Sequence, residues 1–384
     1  MKELHVRDQW YTGKEVAHQP VLWQETLETV ISARQQLSSF LKEVYATPGL
    51  QIILTGAGSS AYIGEILQYS FQQHTGLQVS AVATTDLVTH PETFFSPSVP
   101  LLLVSFARSG DSPESVATLQ LAEKLSDAVS HLVITCNAEG RLAQAARTAR
   151  RAFVFLLPAA SNDQALAMTS SFTCMSLAGL LIADIANVAG KSDMVRKLMG
   201  LGRILLDKYA PELDVLTDLD VKRVVFLGSG PLKGAARESH LKVIELTDGQ
   251  VNCQYDSFLG FRHGPKAIID DHTVMVYLFS NDPYVRKYEL DLVGGIARTE
   301  RFLYSLGVGQ GLKTAGGPDL HLSIELGLDG WRAADDVLAV CSVIPAQLIG
   351  FYRSLKLGLN PDAPSRRGGI HRVVQGVNIY PYKD

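Results

Sequence analysis

Gln51-Ile52-Ile53-Leu54-Thr55-Gly56-Ala57-Gly58-Ser59-Ser60-Ala61-Tyr62-Ile63-Gly64 reads as a strand that runs straight into a glycine turn and then a helix. A second copy, Val224-Val225-Phe226-Leu227-Gly228-Ser229-Gly230-Pro231-Leu232-Lys233-Gly234, lies about 170 residues further on. Small, φ-permissive residues at such a junction let backbone amides approach a ligand at a helix N-terminus, which suits an anion. Only the first copy continues into hydroxyls. Only the second is followed by ordered acid and base groups. One half reads as built to hold a phosphate and the other to move protons.

Working outward from the first turn, short apolar strands alternate with helical patterns: Gln51 to Leu54, Val79 to Val82, Leu101 to Ser105, Leu132 to Thr135 and Phe153 to Leu157. Such alternation predicts βαβ units and a mostly parallel sheet covered on both faces. A helical stretch from about Ser171 to Tyr209 leads to the second turn, and Val274 to Phe279 is the counterpart of Leu101 to Ser105. The α/β class follows, with residues 1–46 as an N-terminal helical arm, 47–205 as a first domain and 206–384 as a second. In the arm, Leu22, Thr26, Val30, Ala33 and Leu37 recur at helical spacing. Residues 360–376, rich in Pro, Gly and Arg, read as a loop before a final strand over Val377 to Tyr380.

The 384 residues suffice for two domains with full cores. A formal net charge of -4 supplies no electrostatic pull toward nucleic acid. Cys136, Cys174, Cys253 and Cys341 lack CxxC or Cys/His spacing, so neither a disulfide framework nor a metal site is expected. The N-terminal stretch with Lys2, Glu3, His5, Arg7 and Asp8 has no apolar signal core. The apolar helix from Ser176 to Ala189 is too short to span a bilayer and carries Asp184. A cytoplasmic protein without membrane attachment is the expectation.

The phosphate reading rests on two turns. Ser105-Phe106-Ala107-Arg108-Ser109-Gly110-Asp111-Ser112-Pro113-Glu114-Ser115 follows an apolar strand and precedes a helix, so the Ser109 and Ser112 hydroxyls, first-turn amides and the Arg108 guanidinium converge. The alternative is that Ser112 merely caps a helix with Pro113 at its first position. The other turn brings Gly58, Ser59 and Ser60. It lacks both the GxGxxG of a dinucleotide site and the GK[ST] ending of a P-loop, so a phosphate monoester fits better.

On the second copy, Glu238, Lys242 and Glu245 fall on one helix face, a pattern that a solvated surface pair would also produce. The segment Gly260-Phe261-Arg262-His263-Gly264-Pro265-Lys266 sets a histidine between glycine turns, for aiming an imidazole or for structure. The order Gly-x-Gly-Ser-Ser, Ser-Gly-x-Ser, Glu-Ser-x-Leu-Lys-x-x-Glu, His-Gly-Pro resembles the sugar isomerase (SIS) fold in two tandem copies, as in the isomerase half of glucosamine-6-phosphate synthase. Thr84-Thr85-Asp86-Leu87-Val88-Thr89 and Arg372-Val373-Val374-Gln375-Gly376-Val377 further resemble the tagatose-6-phosphate ketose/aldose isomerase branch, whose members act as galactosamine-6-phosphate deaminases.

The resemblance implies two flavodoxin-like three-layer domains and a phosphosugar substrate, with no cofactor. It implies Glu245 as the base between C1 and C2, Lys242 as its electrostatic partner and His263 as the ring-opening group. Phosphate would rest on Ser60, Ser109 and Ser112. A homodimer, or a dimer of dimers, with sites shared between subunits follows from the same likeness. Two departures stand out: Ala107-Arg108 replaces a Ser-Gln pair, and Arg372 occupies the place of a loop lysine and cannot serve as a neutral base. No cysteine precedes Cys136 to hydrolyse glutamine, which favours breakdown or isomerisation. The expected reaction is conversion of galactosamine 6-phosphate to tagatose 6-phosphate and ammonia. Aldose/ketose isomerisation without deamination and a non-catalytic sugar-phosphate sensor remain as alternatives. Asp86, Asp163, Gln164 and the Met168-Thr169-Ser170-Ser171 turn read equally as sugar contacts or as turn and helix caps.

Overall fold

Each glycine turn ends the second-position strand of a five-stranded, wholly parallel sheet. The computed structural model describes residues 7–313, 317–328 and 330–383, and the Lys2, Glu3 and His5 of the charged N-terminus lie outside them. The chain divides into two units: residues 21–163, 170–195 and 370–384, and residues 1–20, 164–169 and 196–369. This cut differs from the expected stretches. The arm helix α1 (Tyr11–Tyr45) passes from one unit to the other at Pro20, and the tail from Ile370 joins the first sheet's unit.

The first unit holds β1 (Gln51–Thr55), β2 (Gln78–Ala81), β3 (Leu101–Ala107), β4 (Val129–Thr135) and β5 (Ala152–Leu156), in the order β2-β1-β3-β4-β5. This is the flavodoxin-like order, whose crevice at the strand C-termini between β1 and β3 is where ligands gather. Helix α2 (Ser59–Thr75) follows β1, α3 (Thr84–Thr89) follows β2, and α4 (Pro113–Leu125) follows β3. Ile53, Leu101 and Leu103 face Leu87 and Ala122 on one side of the sheet. Across the other side lies α5 (Ser170–Ala183), every residue of which is buried. Gly179 of α5 leaves no room for a Cβ between Leu67 and Phe106, which is how α5 lies so near the sheet.

The second unit repeats the plan with β6 (Arg223–Gly228), β7 (Asn252–Asp256), β8 (Thr273–Leu278), β9 (Tyr304–Gly309) and β10 (Leu322–Glu325), ordered β10-β9-β8-β6-β7. Helix α6 (Pro231–Leu246) follows β6, and α7 (Pro283–Thr299) covers the opposite face through Leu292, Val293 and Ile296. Each fully buried side chain of this kind contributes roughly 1.5–3 kcal/mol. Helices α8 (Asp335–Ser342) and α9 (Ile344–Lys356) form a stretch long and apolar enough to cross a bilayer, but 94% of its apolar window is buried inside the protein, as in a core helix.

Val377 to Tyr380 forms no strand, contrary to the sequence expectation. Its alternating apolar residues pair with no strand; the tail instead lies along α3 and α4, where Lys124 donates to the carbonyls of Tyr382 and Lys383 at 2.7 and 2.5 Å.

Gly350 of α9 sets the seat of α6, since a Cβ there would stand 2.8 Å from Leu246 Cδ1 and 3.2 Å from the Lys242 carbonyl oxygen. Gly350→Val is expected to destabilise the protein by about 1–3 kcal/mol through overpacking. Gly295→Ala, at a helical site with open space, should be neutral or raise stability by up to about 1 kcal/mol. Denaturant titration of the two variants checks both.

Candidate active site

Backbone geometry builds the first turn. Gly58 adopts φ 56° and ψ -128°, a conformation L-residues avoid, and Gly56 faces the Ser60 backbone so closely that an added Cβ would be 2.5 Å from its carbonyl carbon. Ser59 and Ser60 are consequently brought into the first turn of α2, both buried to 5% exposure. The Gly56 carbonyl accepts from the Thr84 amide at 2.9 Å, which fastens the turn to α3.

The second serine turn lies beside it, because β1 and β3 are neighbours with Thr55 level with Ser105. Ser109 Oγ accepts the Asp111 amide at 3.2 Å, and the Ser109 carbonyl accepts from Asn137 Nδ2 at 2.8 Å. Ser112 occupies the N-cap position of α4, but its side chain caps no amide of that helix. The plain capping alternative thus lacks its hydrogen bond, and the first-turn amides of α4 are not answered by a side chain.

Arg108 is 6% exposed, and its Nη2 donates to the Arg372 carbonyl at 2.7 Å. Arg372 in turn donates from Nε to the Asp163 carbonyl at 2.8 Å and from Nη2 to Asn162 Oδ1 at 2.7 Å. These arginines form a clasp that holds the tail to the first sheet's unit. Asp163 is a helix cap: its carboxylate accepts the Ser170 and Ser171 amides at 3.2 and 2.9 Å, together with both hydroxyls. A cleft of about 800 Å³ runs beside these turns, lined by Thr85, Glu114, Leu121 and the tail residues Val377 to Tyr382. It touches neither Ser109 nor Ser112.

Glu238, Lys242 and Glu245, the acid and base groups expected from the sequence, stand on α6 of the second unit. Lys242 and Glu238 are buried, to 1% and 0% exposure, so the solvated-pair alternative does not hold. Lys242 Nζ lies 2.5 Å from Glu245 Oε2 and 3.3 Å from Glu238 Oε1. One cation between two carboxylates leaves a net negative charge, and the Glu245 side chain, at 21% exposure, is the member of the trio in reach of solvent. Burial of that kind requires paired charges. Sequence spacing offered Glu238 as a face neighbour only; its burial is a tertiary property.

His240, on the same helix, packs its ring 4.7 Å from that of Tyr255, and Arg237 lies over the same tyrosine. Burial lowers the His240 pKa below its usual value, with the charges of Arg237 and Lys242 acting in the same direction. His263 is exposed on the turn after the short helix Phe258–Phe261. Gly264, at φ 119°, redirects the chain immediately after it into Pro265.

Residues 47–183 match the SIS domain family, and the second sheet repeats the architecture of the first, so the fold is that of a double-SIS protein. The particular family follows from longer likenesses. A D-galactosamine-6-phosphate deaminase AgaS of Shewanella sp. (strain ANA-3) is 41% identical over 377 residues, which cover 97% of this chain and 92% of that protein. The solved structure of a protein from Clostridium novyi has a TM-score of 0.94 at 39% identity and covers 99% of this chain and 97% of its own. The tagatose-6-phosphate ketose/aldose isomerase structure from Escherichia coli has a TM-score of 0.88 at 38% identity, with 97% of each chain covered. This chain belongs to the AgaS family of sugar-phosphate enzymes.

Lys242→Met removes from buried Glu238 and from Glu245 the ammonium group that both contact. The expected loss is about 3–5 kcal/mol of stability, the cost of breaking a buried ion pair from one side. The double change Glu238→Gln/Lys242→Met should recover part of it, and thermal unfolding of both variants reads the difference.

Proposed function

We propose that this protein is a cytoplasmic enzyme that converts galactosamine 6-phosphate to tagatose 6-phosphate and ammonia. The observation that carries this reading is the Glu238–Lys242–Glu245 cluster, in which a buried cation steadies a carboxylate that keeps access to solvent. The chain's likeness to the D-galactosamine-6-phosphate deaminase of Shewanella supports the choice of substrate.

The ester phosphate is held by the amides and hydroxyls of Ser59, Ser60, Ser109 and Ser112, with Gly58 allowing the close backbone approach. Arg108 and Arg372 act by fixing the tail and lending positive charge, since a guanidinium holds its proton throughout. Ring opening moves the proton of the C1 hydroxyl to the ring oxygen, with His263 as carrier. Glu245 then removes the C2 proton of the open-chain aldehyde and leaves an enolamine. Return of a proton to C1 gives the C2 imine, and addition of water releases ammonia and leaves the C2 ketone. Lys242 stands 2.5 Å from Glu245 Oε2 as its electrostatic partner in the first transfer.

The exposed side chains of Leu259 and Tyr284 in the second sheet's unit, as well as the exposure of His263, support a homodimer in which His263 serves the partner's substrate. The name of the Escherichia coli structure supports a second reading, ketose/aldose isomerisation without loss of nitrogen. Incubation of purified protein with galactosamine 6-phosphate, followed by an ammonia assay, separates the two. Ammonia in step with tagatose 6-phosphate is the expected result, whereas turnover of a neutral sugar phosphate with no ammonia from the amino sugar selects isomerisation. Glu245→Gln should lower kcat by about 10²–10⁴-fold with little change in KM. Unchanged turnover in that variant rules out Glu245 as the base.

A further inference from the structure

The second sheet carries the first sheet's turn without its serines. Gly230 has φ 54° and ψ -128°, within two degrees of Gly58, and each glycine hands the chain to a helix. On the adjacent strand a proline again opens a helix, Pro283 in α7 as Pro113 in α4. The side chains differ throughout. Pro231 and Leu232 stand where Ser59 and Ser60 stand, and Asp282 takes the N-cap position of Ser112. Counted from Leu278, which is level with Gly228, the loop to Pro283 is two residues shorter than that from Phe106 to Pro113.

Beside the Gly230 turn, in the loop after β8 that corresponds to the second serine turn, the amides are answered by carboxylates of the chain itself. Glu289 Oε2 accepts the Ser280 amide at 2.9 Å, and Asp335 Oδ1 accepts the Asn281 amide at 2.7 Å while its other oxygen takes the Ser280 hydroxyl. Asp282 Oδ1 accepts from the Tyr284 amide at 2.7 Å. Glu325 accepts the amides of Gly311 and Leu312, each at 2.7 Å, at the end of β9. Arg286 stands alongside, its Nε 3.8 Å from Glu289 Oε2 and 2.7 Å from the Ser280 carbonyl oxygen. Glu289 is fully buried, and its Oε1 and the buried Asn281 Oδ1 have no hydrogen-bond partner. A fully buried carboxylate on a turn amide beside an arginine has the surroundings of a bound oxyanion, not of a surface acid.

We propose that the second turn is an oxyanion cradle occupied from within: Glu289 and Asp335 fill the amides of Ser280 and Asn281, and so keep phosphate esters off the second sheet. The serines of the first turn and the carboxylates of the second are alternative occupants of one backbone design. Duplication thus produced one site open to a ligand and one closed by the chain.

The closure is proton-linked. Burial pushes the Glu289 carboxyl up to about 7, with Asp335 acting in the same sense and Ser229, the Ser280 amide and Arg286 opposing. The charged groups that face it are Arg286 of α7 and Asp335 of α8. Folding raises this pKa above its ordinary value of 4.5, so the folded chain retains a proton that the unfolded chain has released. Its stabilising share is complete below about 4.5 and is lost as pH rises through about 7.

Two measurements on the full-length chain test the proposal. Calorimetric titration with inorganic phosphate compares the parent with Glu289→Ala/Asp335→Ala, whose folding is checked by circular dichroism. The pair is expected to bind one more phosphate per chain than the parent, a difference that does not depend on what Ser109 and Ser112 bind. A folded pair that binds no additional phosphate overturns the proposal. Should the pair not fold, Asp335→Ala alone serves, with a gain of phosphate binding expected and its lack overturning the proposal. For the second measurement, the fall of Tm between pH 5 and 8 is expected to be shallower in Glu289→Gln than in the parent. An unchanged slope removes Glu289 from the cradle.

Discussion

Lys242 cannot be buried alone. An ammonium group taken out of water is costly enough that it loses its proton or finds counter-charges, and here Glu238 and Glu245 stand on the turns before and after it. That requirement fixes much of the second unit. The three residues must share one helix face; the helix must bury that face; and α9 must come close enough to exclude water, which Gly350 permits. Within the trio one lysine contacts two carboxylates, and Glu245 is the member nearest solvent, as the proposed reaction requires. Stability and reactivity come from the same arrangement.

The two sheets show how one backbone supports opposite uses. A glycine with positive φ after a parallel strand, with a proline-opened helix after the neighbouring strand, brings helix N-terminal amides to the strand C-termini. Such amides need acceptors. In the first unit the local side chains are serines, and the cap position of α4 makes no side-chain bond to its helix. In the second, aspartate caps α7, and more distant acids complete the arrangement. Those acids occupy the amides a second oxyanion would need, so in the proposed reading the division of labour between the halves follows from side chains at a few positions.

What could be read from the chain beforehand divides along physical lines. Strands, glycine turns and the doubled plan depend on local periodicity and on φ, and these were legible: β1, β3, β6 and β8 fall where the apolar runs lie. The Glu238, Lys242 and Glu245 spacing was equally legible, but its meaning was not, since a solvated face and a buried cluster share one pattern. Arg108 reads locally as a phosphate contact, yet it is bonded to the carbonyl of Arg372, a partner 264 positions away that no local rule could supply. The tail failed for a related reason. Val377 to Tyr380 has a strand's composition, and only the sheet edges decide whether a strand forms; both helices and lysine carbonyl contacts claim it first. The apolar stretch Asp335–Lys356 likewise needed its surroundings to be seen as core.

The arginine at position 372 narrows the chemistry of ring opening. Its guanidinium is engaged with Asp163 and Asn162, and it would not give up a proton at neutral pH even if unengaged. A proton carrier for the pyranose oxygen must instead change charge near neutrality, which only an imidazole does without a large perturbation. The described histidines of the unit that carries Glu245 are His18, His240, His263, His272 and His321. His240 is packed on Tyr255 and held toward its neutral form by burial and neighbouring cations, which suits a polarising contact but not repeated charging. His263 is exposed on a glycine-flanked turn. In the proposed ring opening His263 is the carrier, while the tail arginine stays bound to Asp163 and Asn162.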